Sequence, residues 1–473
     1  MATIQSAFSV ISSALEADQS ALNIVANNVA NANTTGYTRQ VPNWQEGAPA
    51  EIDGVRYGTG VRESGPTSLR DRVLEGRVAQ QQQAASASSA RESALGVLEA
   101  LFSPNSGTSA DTAGDIGSDI TSFFNSFAAL ESSPTDNGLR QQVLSAGAML
   151  AGDISGAAAN LKEQRSSLDQ EAAAITDQVN ALTASIAKVN VEIQSSSPDG
   201  DAGVLEDQRQ QDLKKLSELI GFSQVSTENN GISITTVSGD LLVSGGTSYK
   251  LTTGMVGGQT HFFIGTTDVT SQLTAGGGEL GGLLAVRDED IPKVVAALDQ
   301  LAYGISTSVN AANNGGTDLN GATGTAAAPL YIFSQPGAVA GSAAAMSVIM
   351  TDPNGIAAAG LGQGTGDNSN AAALAGLASQ GIISGQSAPA FYSSFVTMLG
   401  SKVSQAQIES TAQSASLTQV QAQRDSLSAV NLNDEAALMQ QIERSYQAAS
   451  QVFNILNAIM TSALNLGIQT AVS

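Results

Sequence analysis

The sequence holds no cysteine and a single histidine, His261, in 473 residues. Disulfides and thiolate chemistry are excluded, and one imidazole without thiolate companions does not make a zinc site. A chain without thiols fits passage through both reducing and oxidising surroundings, or export in an unfolded state; chance loss is the plainer alternative. Charge is also scarce. Only 13% of residues are charged, yet 43 acidic against 20 basic residues leave a net −23. Such a balance repels phosphate backbones, so no nucleic-acid partner is expected. The rest of the surface must be Ala, Ser, Thr, Gln, Asn and Gly, which sets little repulsion between copies and suits a polymer. No apolar run is long enough for a membrane span, and no membrane contact is expected. Met1-Ala2-Thr3-Ile4-Gln5-Ser6 lacks the basic stretch and apolar core of a secretory signal, so export is expected to use a route that does not read one.

Catalytic signatures are missing as well. There is no Gly-x-x-x-x-Gly-Lys and no Gly-x-Ser-x-Gly. His261 stands in a strand-like run with Phe262 and Phe263, where a structural role is the natural reading. Arg287-Asp288-Glu289-Asp290, before Ile291-Pro292, reads as polarity at a helix start rather than as a catalytic carboxylate pair. Asp318-Leu319-Asn320-Gly321 resembles part of a calcium-binding repeat, but it occurs once and turn chemistry explains it. The expectation is a protein that is not an enzyme, with no cofactor and no metal.

What is present is periodicity, clearest at the two ends. Ile4, Phe8, Ile11, Leu15, Asp18, Leu22, Val25 and Val29 alternate steps of four and three, an apolar seam with one polar member. Leu438, Ile442, Ser445, Ala449, Val452, Leu456, Ile459, Ala463 and Leu466 repeat that step pattern. Each end is therefore expected to be a long amphipathic helix, and the economical arrangement pairs the first with the last. Two separate core helices of a globular domain are the alternative.

The first helix should stop in Asn31-Ala32-Asn33-Thr34-Thr35-Gly36-Tyr37, where Asn and Gly suit left-handed backbone. Loops and short strands follow, around Trp44 and three prolines. Helix is expected from Asp71 to Leu101, a linker over 103–115, then helices at Ile116–Leu130 and Asn137–Ile154. Leu161, Leu168, Ile175, Leu182 and Val189 recur every seven residues, a rod of roughly 50 Å ending in Ser195-Ser196-Ser197-Pro198-Asp199-Gly200. Val204–Ile220 returns as helix, 222–275 alternates as a compact β-rich module, Gly282–Val309 and Pro389–Ser428 are helical, and 310–390 has no clear period. The expected fold class is mainly α with a β-rich inserted domain. The expected domains are 1–36 with 430–473 (terminal coiled coil), 37–221 with 276–429 (helical rod), and 222–275 (outer β module).

Ala26-Asn27-Asn28-Val29-Ala30-Asn31-Ala32-Asn33-Thr34-Thr35-Gly36-Tyr37 is similar to the N-terminal signature of the flagellar rod, hook and hook-associated proteins. So many asparagines at a helix end are otherwise disfavoured, which makes the motif specific. Thr38-Arg39-Gln40, Leu69-Arg70-Asp71-Arg72, Phe123-Phe124-Asn125-Ser126-Phe127, the 278–288 stretch and Tyr446-Gln447-Ala448-Ala449 resemble the hook-associated branch. The likeness spans nearly the whole chain and is weakest at 222–275 and 335–390. Thr35 departs from the family's usual proline, and Asn433 from a common acidic residue.

The resemblance implies a structural subunit of the bacterial flagellum at the junction of hook and filament, outside the cell, exported unfolded by the flagellar type III apparatus. It implies as partners copies of the chain in a ring or short helical segment, the hook protein, the next hook-associated protein or the flagellin side, and a cytoplasmic chaperone on the C-terminal helix. The assembly interface is expected at Ile4, Phe8, Ile11, Leu15, Leu22, Val25, Asn27, Asn28, Val29, Asn31, Leu438, Ile442, Val452, Leu456, Ile459 and Leu466. Asn23, Asn27 and Asn31 share one helical stripe, and their amides are expected to bond across subunits or else to cap the helix. A hook or distal rod protein, a secreted hydrolase and a coiled-coil translocator are the competing readings.

Overall fold

The computed structural model describes residues 2–34, 36–52, 55–102, 115–196 and 202–469. Thr35, most of the expected linker at 103–115, the turn at 197–201 and the side chain of Leu466 lie outside the described residues. The fold is 65% helical, mainly α with small β sheets.

Helix α1 (Ala2–Ala30) leads into strands β1 (Gln40–Glu46), β2 (Ala50–Ile52), β3 (Val55–Tyr57) and β4 (Val61–Ser68), which form two antiparallel pairs, β1 with β4 and β2 with β3. Helices α2 (Arg72–Phe102), α3 (Ile116–Ser132), α4 (Asn137–Ser196) and α5 (Val204–Leu219) follow. Seven strands come next: β5 (Ser223–Ser226), β6 (Ile232–Thr235), β7 (Leu241–Ser244), β8 (Thr247–Ser248), β9 (Leu251–Val256), β10 (Gln259–Ile264) and β11 (Thr267–Asp268). Helices α6 (Thr270–Gly276), α7 (Gly278–Ala285), α8 (Ile291–Asn314), α9 (Ser342–Ala345), α10 (Ser369–Gly376), α11 (Ala388–Ser428) and α12 (Leu432–Gln469) complete the chain.

The segments expected at 137–154 and 161–193 are one uninterrupted helix, α4, of 60 residues, about 90 Å long at the usual rise per residue. Its heptad residues Leu161, Leu168, Ala172, Ile175, Val179, Ile186, Val189 and Ile193 are buried, and Leu182 is half-buried. The β-rich stretch divides into two sheets, ordered β5-β6-β7-β8 and β11-β10-β9. Its apolar residues Ile232, Ile234, Val243, Leu251 and Phe262 share one continuous core with the helices rather than enclosing their own. Two asparagines of α4 hold the strands down. Asn180 both donates to Leu251 O and accepts from its N–H, each at 2.8 Å, and Asn190 donates to Ile232 O and Gly245 O, each at 2.9 Å.

The aromatic centre is Phe123, with Phe127 at 5.2 Å and Phe333 at 5.3 Å between ring centroids. The irregular 315–387 segment is fixed from the same side. Arg140, buried, donates to Pro134 O at 2.8 Å and Ile356 O at 2.6 Å. Asn310 and Asn313 of α8 clamp the backbone at 330–333 and 355–357. Asp318 accepts the N–H groups of Asn320 and Ala322, the geometry of a tight turn.

Residues 286–290 differ from the sequence reading. They are not a helix start but a π-turn inside a continuous helical run from α7 into α8. The extra residue turns Arg287 and Asp290 inward. Arg287 is paired with Asp169 and Asp288, both at 2.7 Å, and donates to Thr260 O at 2.9 Å. Asp290 is 2% exposed and takes Arg91 of α2 at 3.0 Å and Lys402 of α11 at 2.6 Å. The local charge run is thus a buried tie between three helices, made with partners far away in sequence.

Candidate functional site: the terminal helix pair and its neck

Helix α1 stops where asparagine begins to compete for the backbone. Asn31 N donates to Asn27 O at 3.0 Å, and Gly36, at φ +84°, turns the chain so that Tyr37 N reaches Thr34 O at 3.2 Å. Asn27 and Asn31 pair with each other, Nδ2 of Asn31 donating to Oδ1 of Asn27 at 2.7 Å on the exposed face. Asn28 behaves otherwise. It is fully buried, and its amide donates to Gln40 O at 2.7 Å and Glu435 Oε2 at 3.1 Å while accepting from Gln40 N at 3.0 Å and Tyr37 Oη at 2.8 Å. Every hydrogen-bonding position of that amide is filled within the chain.

Around Asn28 the sparse basic residues gather into a neck joining the helix ends to the body. Glu435, fully buried at the start of α12, gives its other oxygen to Arg39 Nε at 2.5 Å. Arg39 N donates to Ser428 O at 2.9 Å, Leu69 N to Arg39 O at 2.8 Å, and Ser428 Oγ to Leu69 O at 2.7 Å. Arg70 pairs with Glu206 at 2.8 Å and with Asp207, and donates to Thr38 Oγ1 at 3.1 Å. Glu75 of α2 takes Gln210 at 2.9 Å and Arg424 at 3.4 Å. Burial, followed by the carboxylates of Asp207 and Glu435, pushes the Tyr37 hydroxyl up to about 12, so it stays a donor to Asn28 at any ordinary pH. Burial also pulls Arg209 down to about 10, while its guanidinium holds Asn190 at 3.0 Å and Asn230 O at 2.7 Å.

Beyond the neck, α1 and α12 run antiparallel, Asn28 opposite Glu435 and Phe8 edge-to-face on Phe453 at 5.2 Å. Ala21, Val25 and Ile442 form a small buried nucleus between them among the described residues, with Leu22, Leu438 and Met439 half-buried beside it. Asp18, 8% exposed, keeps Oδ2 without a hydrogen-bond partner among the described residues. Strands β1 and β4 cover a second side of α1 so closely that a Cβ on Gly60 (φ +95°) would stand 3.2 Å from Val10 Cα and collide with Ser13 Oγ.

The residues expected at the assembly interface separate into three groups. Val25, Asn28 and Ile442 are buried inside the chain. Ile4, Phe8, Ile11, Leu15, Leu22, Asn31, Leu438 and Leu456 are half-covered. Asn27, Val29, Val452 and Ile459 are exposed. Along α12 the face turned to α1 passes through Phe453, Leu456 and Met460, so Val452 and Ile459, expected on the same seam, point outward. Sequence periodicity missed Phe453 as the packing residue and Glu435 and Asn28 as the polar anchor. Asn28 belongs to the signature run itself and was expected at the interface between copies, and Glu435 follows Asn433, one of the departures from the family pattern, which was the available signal.

The chain matches the family described as "Flagella basal body rod protein" over residues 8–38, which is α1 and the loop that caps it. Residues 106–327 match the family described as "Flagellar hook-associated protein FlgK helical domain". Flagellar hook-associated protein 1 of Escherichia coli is 25% identical over an alignment spanning 96% of this chain and 98% of the relative. The protein of that name from Bacillus subtilis is 24% identical, spanning 96% of each. The chain is similar along nearly its whole length to flagellar hook-associated proteins. Its fold is shared with the flagellar hook junction protein FlgK from Burkholderia pseudomallei, with a TM-score of 0.64 and 19% identity over 74% of this chain and 99% of that one.

The remaining polar groups make internal contacts. His261 Nδ1 meets Asp268 Oδ2 at 2.6 Å, and Asp268 is held below the usual carboxylate range first by the hydrogen bonds from Thr270 and then by His261. Among the described residues no group of three or more His, Cys, Asp or Glu could hold a metal ion, and no helix is long and apolar enough to cross a membrane.

Proposed function

We propose that this chain is a structural subunit of the bacterial flagellum, placed at the junction between hook and filament and assembled through its terminal helices. The observation that carries this reading is the contrast in cover. The heptad face of α4 is buried, whereas α1 and α12 leave Ile4, Phe8, Ile11, Leu15, Val452, Ile455, Ile459 and Leu464 half-covered or bare. Burying such a side chain contributes ~1.5–3 kcal/mol, and ordering a residue costs ~1–2 kcal/mol, so α12, which α1 covers on one side, is close to balance. Neighbouring copies that cover the second side tip that balance, and folding of the ends is coupled to assembly.

The neck gives the pair a fixed direction from the body, so that contacts made at the helices orient what the body carries. Export through the flagellar type III route, a chaperone on α12 before assembly, and contacts with hook protein below and the next hook-associated protein above belong to the same proposal. The names of the relatives and the absence of thiols support them. A deletion of the gene tests the reading: hooks should form and filaments should be missing, with the full chain restoring filaments and a chain lacking Val430–Ser473 secreted but failing to restore them. Filaments on the truncated chain would refute α12 as the assembly helix.

A further inference from the structure

On α12, Arg444 lies about 200° around the helix from Ile442, the residue buried against α1, and so faces away from its own partner helix. Val452, Ile455 and Ile459 share its side of the helix, within a sector of about 80°. They are 42%, 59% and 48% exposed. Arg444 is the only cation of the helix and makes no ion pair among the described residues. This outer row, an apolar strip of about 22 Å with one positive charge at its end, is left exposed by the described residues.

Helix α1 offers the complementary surface. Its apolar stripe is wider than the face that α12 covers: Ile4 and Leu15 remain half-covered, as do Phe8 and Leu22 beside their own contacts with α12. Glu16 is the exposed carboxylate on its rim, touched only by Ser12 Oγ at 3.5 Å. Within one chain the two helices run antiparallel with Asn28 opposite Glu435 and Phe8 opposite Phe453. Laid on a second α1 in that same register, Arg444 falls within a turn of Glu16. Val452 to Ile459 then lie over the stretch from Ile11 to Ile4. The two lengths agree, about 22 Å for the row and about 18 Å from Glu16 to Ile4.

We propose that the outer row of α12 docks on the half-covered flank of α1 of a second copy, with Arg444 of one copy paired to Glu16 of the other. The inference rests on the assembly reading above and names the contact that would carry it. A rim charge pair of this kind fixes register and direction more than it adds affinity, while the apolar row supplies the burial. Because every copy repeats the contact, a small loss at each is multiplied along the assembly.

The test is a charge exchange in a strain deleted for the native gene, with filament-bearing cells counted. The wild-type chain must restore filaments; if it does not, the assembly reading itself fails. Glu16→Arg alone and Arg444→Glu alone are each expected to weaken the contact by roughly 2- to 5-fold per copy and to lower the count sharply. The double variant should recover. Co-expression of the two single variants should also recover, because copies carrying Glu16→Arg and copies carrying Arg444→Glu pair in alternation, and no contact within one chain allows that rescue. Secreted chain is measured in parallel, and where a reversal blocks export the same mixing is done with purified full-length chains on isolated hook ends. Full function of either single variant, or failure of both rescues while wild type works, would overturn the proposal.

Discussion

Replacing Asn28 with Ala removes four hydrogen bonds at once from a site with no solvent. Gln40, itself buried, loses a partner for both its N–H and its carbonyl, and Glu435 keeps Arg39 but loses its second donor. An orphaned buried polar group costs about 1–3 kcal/mol, and Tyr37, half-buried, can turn to water, so the net loss should be about 3–5 kcal/mol. That loss falls on the neck and not on the body, because none of the four bonds reaches α3 or α4. Hydrogen exchange of the full chain is the assay. The amides of Arg39, Gln40 and Leu69 should lose at least about a hundredfold of protection, while the buried face of α4 is unchanged. Asn27→Ala and Asn31→Ala, which break only exposed bonds within the helix end, among Asn27, Asn31 and Thr34, should change protection by less than about twofold. Equal, small effects at all three asparagines would refute the assignment of Asn28 as the hub of the neck.

Asp290→Ala strands Arg91 and Lys402 beside a buried gap. Both cations keep partial access to water, so the stability of the body should fall by about 1–3 kcal/mol in a denaturant titration, against a small effect for exposed Glu289→Ala. Asp119 supplies a pH signature. Burial first, then the contact with Asp153, raises its carboxyl from 3.8 to about 7. The folded state therefore holds an extra proton between those values, and this group's contribution to stability is greatest below pH 4, falls as pH rises to 7 and is level above. Asp119→Asn should flatten that slope in the difference between variant and wild type and leave the variant the more stable at pH 8; identical pH profiles would count against a shared proton.

The parts of the fold that were legible are those in which a local period decides the outcome. The apolar seams at both ends and the heptads from Leu161 to Val189 set helices because one face had to be buried. Periodicity could not choose between Val452 and Phe453, since α12 carries two overlapping apolar rows and only the partner helix decides which faces inward. Asn180, Asn190, Asn310 and Asn313 look like surface polarity in sequence but clamp backbone that the helices bury. The run Arg287–Asp290 looked like a helix start because its partners, Asp169, Arg91 and Lys402, are more than a hundred residues away. At the neck the signature residues were visible, but their chemistry was not, because Asn28 meets Glu435 from the other end of the chain.

Hydrogen exchange of the full-length protein, once as dilute single chains and once bound at hook ends, tests the account most directly. Alone, the tips at 4–16 and 449–464 should exchange faster than the buried face of α4 by several orders of magnitude, and on assembly they should become as protected as it is. Tips already as protected as α4 in the single chain would contradict the claim that copies complete each other's terminal helices.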